Sequence, residues 1–184
     1  MKLKDFIFTG FLFFTIVSNT TADKEKKKIK LVLDKLDKVK DAEHILKTDI
    51  TFDKVGDDEV KINGQVEQSI DLDDEYKINM DVFHCSEKDG EFKKVVGIAN
   101  VGVCQVMANQ YKKYFYDTLK NHANAPDPDK CPVTQEIYVV KDYPLDSSKF
   151  QKFLKPGFYK TVVSLIHQEE EVLQYTFEGH TEDE

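Results

Sequence analysis

In three runs between Leu46 and Val82 the chain alternates, with mostly apolar residues at every second position. That period restricts the chain to strands with one buried face. Leu46, Thr48, Ile50 and Phe52 form one run, Val60, Ile62, Gly64 and Val66 a second, and Tyr76, Ile78, Met80 and Val82 a third. The connectors Gly56-Asp57-Asp58, Asp71 to Glu75 and Lys88-Asp89-Gly90 carry turn chemistry, so an antiparallel meander is expected. Two further apolar runs, Gly157 to His167 and Val172 to Phe177, are joined by Gln168-Glu169-Glu170-Glu171 and predict a terminal hairpin. In the first of these, Phe158, Tyr159, Val162, Val163, Leu165 and Ile166 put bulk on both faces. A strand buried on both sides, or one lining an interior space, has that pattern. The stretch IKLVLDKLDKV also fits a helical stripe through Ile29, Val32, Leu36 and Val39; a strand is the reading adopted.

One segment departs from period two. From Val103 to about Asn121, Val103, Val106, Met107, Tyr111, Tyr114, Phe115 and Thr118 or Leu119 recur at helical spacing, which predicts one amphipathic helix. Asn121 to Asn124 and then Ala125-Pro126-Asp127-Pro128 end it, because proline lacks the amide donor and disfavours helix in the residue before it. The last residues, His180 to Glu184, are expected to fray as a short acidic tail.

The first 22 residues have the parts of a secretory signal peptide: Lys2 and Lys4, an apolar stretch from Phe6 to Val17, and small residues ending at Ala22. The apolar stretch is shorter than the ~20 residues that a membrane-spanning helix needs. Residues 23–184 are then a single secreted, extracellular domain, in which 8 of the chain's 13 Phe and all 8 Tyr supply core material in the absence of Trp. An exported chain meets oxidising conditions, so its three cysteines are expected to give one disulfide and one spare. Cys104 with Cys131 is the pairing chosen, since together they bracket the helix and its following loop. Cys85, inside an apolar strand, is then a buried free thiol or, as the alternative, an intermolecular partner.

Loss of the signal peptide removes two lysines and one aspartate and takes the formal net charge from −8 to −9. With lysines scattered among acids there is no basic stripe, and nucleic acid is not an expected partner. No Gly-x-Ser-x-Gly elbow and no activated Ser or Cys marks a catalytic centre. The five histidines, His44, His84, His122, His167 and His180, show no paired spacing, and there is no Cys-x-x-Cys, so no metal site is expected. Asp71, Asp73, Asp74 and Glu75 lack the glycine and ligand spacing of a calcium loop and read as a solvated turn. The chain is therefore expected to be no enzyme and to need no cofactor. Binding of something apolar between two sheets is the chemistry left, with an ordinary filled core as its alternative.

From about Val39 onward the chain resembles a large insect family of small secreted proteins that includes the chemosensory CheB proteins. These are themselves similar to the ganglioside activator protein and the ML lipid-recognition domains. The resemblance is carried by Asp71-Leu72-Asp73-Asp74-Glu75-Tyr76 opening a strand, by Gly102-Val103-Cys104 leading into the helix, by Cys131-Pro132 before the next strand, and by Leu154-Lys155-Pro156-Gly157-Phe158-Tyr159 before the terminal hairpin. It implies a mainly β fold: an immunoglobulin-like two-sheet β-sandwich or β-cup with one amphipathic helix after Cys104. It also implies the Cys104–Cys131 pairing and a hydrophobic small molecule or lipid held between the sheets. Ile62, Val66, Ile78, Met80, Tyr138, Val163, Leu165 and Phe177 are the expected lining residues. The competing expectation is a secreted interaction module with a filled core, acting on a membrane receptor, a channel or a host target.

Overall fold

The computed structural model describes residues 29–40, 42–55, 59–144 and 153–183. The expected signal peptide, the Gly56-Asp57-Asp58 turn and Glu184 lie outside these residues. Among the described residues eight strands build two antiparallel sheets, with a helix between the fifth and sixth strands. The strands are β1 (Ile29–Lys40), β2 (Leu46–Val55), β3 (Glu59–Gln68), β4 (Tyr76–Cys85), β5 (Lys93–Gly102), β6 (Glu136–Pro144), β7 (Phe158–His167) and β8 (Glu170–Asp183). The larger sheet has the order β1-β8-β7-β4-β5 and the smaller the order β2-β3-β6. The fold is sandwich-like, and the ambiguous first segment is a strand paired with β8.

The expected meander is broken in one place, since β3 and β4 do not pair and belong to different sheets. Asp71 to Glu75 is a crossover, not a hairpin turn. Hydrogen bonds to the chain leading into β6 fix it: Leu72 and Val133 exchange backbone bonds of 2.9 and 2.8 Å. The Gln135 amide also donates to Asp71 Oδ1 at 2.7 Å. Beside it the buried Gln68 amide donates to the carbonyls of Ile70, Val133 and Thr134. An extended chain that satisfies its backbone this way has no need of a sheet neighbour.

The expected acidic tail is also different, because β8 continues to Asp183 and pairs with β1 through Ile29↔Asp183 and Val32↔His180. Polar groups hold it there. His180 Nδ1 lies 2.8 Å from Asp34, and Lys30 pairs with Glu182 at 3.3 Å. The turn joining β7 to β8 is tighter than expected, with only Gln168 and Glu169 between the strands, both at positive φ of 50° and 67°. That is the twist of a two-residue type I′ hairpin.

β5 was not among the alternating runs, because Gly97 and Ala99 interrupt its pattern. Gly97 leaves space for side chains of β4 and β5. A Cβ at that position would run into the Asp81 carboxylate, which pairs with Lys94 at 2.6 Å across the strands.

The helix follows β5 directly. Val103–Val106 and Asp117–Leu119 are α-helical, and Met107–Tyr116 between them is wound as a π-helix. The π winding takes more residues per turn than the ~3.6 of an α-helix, so the inward stripe drifts along the sequence. Phe115, expected inside, is 40% exposed, while Tyr116 is half-buried. After the helix, His122 to Asn124 cover the outer edge of β6. Lys141 N donates to His122 O at 2.8 Å, and Asn124 bonds both Val139 N and Ile137 O. An edge strand covered in this way is closed to further pairing.

Candidate ligand-binding site

Strand register fixes which side chains share the interior. On the larger sheet Ile78 lies opposite Leu165, Met80 opposite Val163, Leu165 opposite Leu173, and Phe177 opposite both Thr161 and Leu36. On the smaller sheet Val66 faces Tyr138 and Ile62 faces Tyr143 across β3 and β6. Because side chains alternate in direction along a strand, each group lies on one face of its sheet. The faces meet: Thr48 Oγ1 and Tyr175 Oη are hydrogen-bonded at 2.8 Å between β2 and β8.

Packing along this interior is uneven. One end is filled by Ala42, Ile45, Leu72, Val103, Val133, Tyr138, Leu165 and Leu173, which form one buried cluster. Leu46, Val66, Ile78, Met107 and Tyr175 pack against it. Toward the other end, where β4 turns into β5 and β7 begins, the inner faces are only half-buried. Ile62, Met80, Val82, Val163 and Phe177 are all of this kind. Among the described residues no large side chain is fully buried. Val96 sits opposite Val82 and is 54% exposed, since three strands do not cover five.

The eight expected lining residues thus divide. Tyr138 and Leu165 belong to the filled cluster, Val66 and Ile78 border it, and Ile62, Met80, Val163 and Phe177 lie beyond it on the half-buried faces. All eight stand on strands, on the apolar sides of the two sheets. Periodicity did not single out Gln110, and it placed Thr48 and Tyr175 in their runs without showing that they meet. Thr48 and Tyr175 occupy alternating positions in their strands, but only the fold brings them together. Burial raises the pKa of Tyr111 and Tyr138 above the ordinary phenol value. Both stay neutral donors, to Pro126 O at 3.1 Å and Thr134 O at 2.9 Å.

Cys104 and Cys131 are joined, with Cα atoms 5.8 Å apart, and tie the first turn of the helix to the chain approaching β6. Closing a loop of 27 residues is worth roughly 3 to 4 kcal/mol in the chain-entropy model. Cys85 is a buried free thiol beneath the turn that follows β4, donating to Glu87 O at 3.1 Å. The acidic run is more than a solvated turn. Asp74 Oδ1 accepts from the amides of Cys104 at 3.0 Å and Gln105 at 3.4 Å, so a carboxylate from another element caps the helix. Gly102 makes room for it, because a Cβ there would overlap that carboxylate.

An open depression of about 520 Å³ beside the disulfide is lined by Asp73, Asp74, Glu75, Cys104, Cys131 and Pro132. Two of its carboxylates are engaged, Asp74 with the helix and Asp73 with the backbone amide of Glu75. Among the described residues no group of three or more His, Cys, Asp or Glu could hold a metal ion. No helix among them is long and apolar enough to cross a membrane.

A family model described as a protein of unknown function, DUF1091, matches residues 78–161. The matched stretch runs from β4 through the helix and both disulfide cysteines into β7. No curated protein matches the chain.

Proposed function

We propose that the protein is a secreted, non-catalytic carrier or sensor of a hydrophobic small molecule, such as a fatty acid, a cuticular hydrocarbon or a lipid, held between the two sheets. The observation that carries this reading is the uneven interior. Apolar faces that continue past the filled cluster remain half-buried, and Ile62, Met80, Val163 and Phe177 stand on them. A filled sandwich would bury these side chains, each worth roughly 1.5 to 3 kcal/mol when fully removed from water. An apolar guest supplies the missing contacts. The driving force is about 25 cal/mol per Å² of ligand surface buried, less the cost of ordering the ligand.

The signal peptide and the disulfide support an extracellular setting, and the resemblance to the CheB and ML proteins supports a place among insect chemosensory binders. The test is to extract lipid from the secreted protein, examine it by native mass spectrometry, and titrate the stripped protein with a fluorescent fatty-acid probe. Co-purified lipid or saturable probe binding is expected. Protein that carries no lipid and takes up no probe overturns the reading.

A second reading, an interaction module acting on a receptor or channel, is favoured by exposed apolar side chains. Val55, Phe92, Val95 and Val96 are exposed toward the half-buried end of the sandwich, and Val39 and Ile137 are exposed at the other. Small-molecule uptake and docking of this end on a membrane protein are compatible in a sensor.

A further inference from the structure

Gln110 is a polar residue on the half-buried side of the π-wound segment, where Val106, Met107, Tyr111 and Tyr114 are its half-buried neighbours. Among the described residues its Oε1 is the buried side-chain oxygen or nitrogen that has no hydrogen-bond partner. The rest of that stripe is satisfied or apolar: Met107 packs on the core, and Tyr111 gives its proton to Pro126 O. The helix runs from the end of β5 to the edge strand β6 and so spans the side of the sandwich between the two sheets. A buried carbonyl oxygen that accepts nothing forfeits its hydration without return.

We infer that Gln110 reads a polar end of the bound molecule, and that the ligand is an apolar chain bearing one hydrogen-bond donor, such as an alcohol, an amide or a protonated acid. This rests on the carrier reading above and specifies its ligand class. The apolar faces of the two sheets hold the chain, and the Gln110 side-chain carbonyl accepts the proton of its head. A guest with no donor leaves the oxygen unpaired and gains only the apolar contacts. Discrimination by a site built to hydrogen-bond its substrate arises in this way.

The experiment compares dodecanol with dodecyl methyl ether, which keeps the chain and the oxygen but lacks the donor. Both displace a fluorescent fatty-acid probe from wild type and from Gln110→Leu. Wild type is expected to bind the alcohol roughly five- to tenfold more tightly than the ether. Gln110→Leu should lose that preference with ether affinity unchanged. Its ligand-free Tm should rise by about 2 to 4 °C, as the unpaired oxygen is gone. Equal affinity of wild type for both probes overturns the inference and leaves the carrier reading standing. So does a preference that survives in Gln110→Leu. Binding of neither probe overturns both. The wild-type comparison needs no variant, so misfolding of Gln110→Leu cannot rescue the idea.

Discussion

A single carboxylate can decide where a helix begins. Asp74 reaches across from the crossover to cap the first amides of the helix. Asp74→Ala should therefore lower stability to urea unfolding by about 1 to 2 kcal/mol, with Asp74→Asn losing less because it keeps an acceptor. No loss from the alanine variant would show the capping bonds to be incidental. His180 makes a second residue-scale prediction. Its pKa is raised above 6.5, first by the hydrogen bond to Asp34 and then by Glu182, against partial desolvation. A raised histidine stabilises fully below its unfolded pKa of about 6.5 and loses that contribution as pH rises through its folded value. Glu182 is lowered below 4.5, chiefly by His180 and then Lys30, and holds its contribution above about 4.5. The cluster is thus strongest between roughly pH 4.5 and 6.5. Chemical denaturation from pH 6 to 8 should show stability falling, and Asp34→Asn should flatten that slope. An unchanged slope would remove the cluster from the account of how β8 is held.

Elements built from the same residues obey different constraints. The disulfide ties two elements at the helix start, so Cys104→Ser should cost roughly 3 to 4 kcal/mol, whereas Cys85→Ser should cost under about 1 because a hydroxyl can still donate to Glu87 O. Equal losses would show that the tie is not what the bridge contributes. The β7–β8 turn asks Gln168 and Glu169 for left-handed backbone that neither favours. Replacing them with Asn-Gly should raise stability by about 1 kcal/mol in thermal unfolding. The strands of both hairpins, β2 with β3 and β7 with β8, were legible because alternation is local. Their distribution between sheets was not. Asp71 to Glu75 has the same turn composition whether it folds β4 back on β3 or carries it to the other sheet, and only contacts with Val133 and Gln135 decide. The π winding was equally hidden, since α and π stripes coincide from Val103 to Tyr111 and part only at Phe115 and Tyr116. For the candidate site, the apolar faces could be read from period two. The unpaired Gln110 could not, because a polar residue beside a stripe looks the same whether or not its oxygen finds a partner.

The whole molecule has one packed end and one loose end, and the two need not move together. Around Leu165, Leu173 and Tyr138 the sheets are fastened by buried side chains and by the crossover's hydrogen bonds, and the Thr48–Tyr175 bridge lies along the same interior. Past Met80 and Val163 the apolar contacts thin out while the strands continue. Protection against amide hydrogen exchange follows local opening free energy, so it should divide the strands along their length. Amides near Val82, Val96 and Ile62 should exchange through partial openings, and those near Ile78, Leu165 and Tyr138 only with global unfolding. Uniform protection along β4 and β7 would contradict this. The same gradient has a kinetic side. A guest could cross the loose end on the timescale of its local breathing, so its residence time would be set by that opening and not by the slow unfolding of the domain that surrounds it.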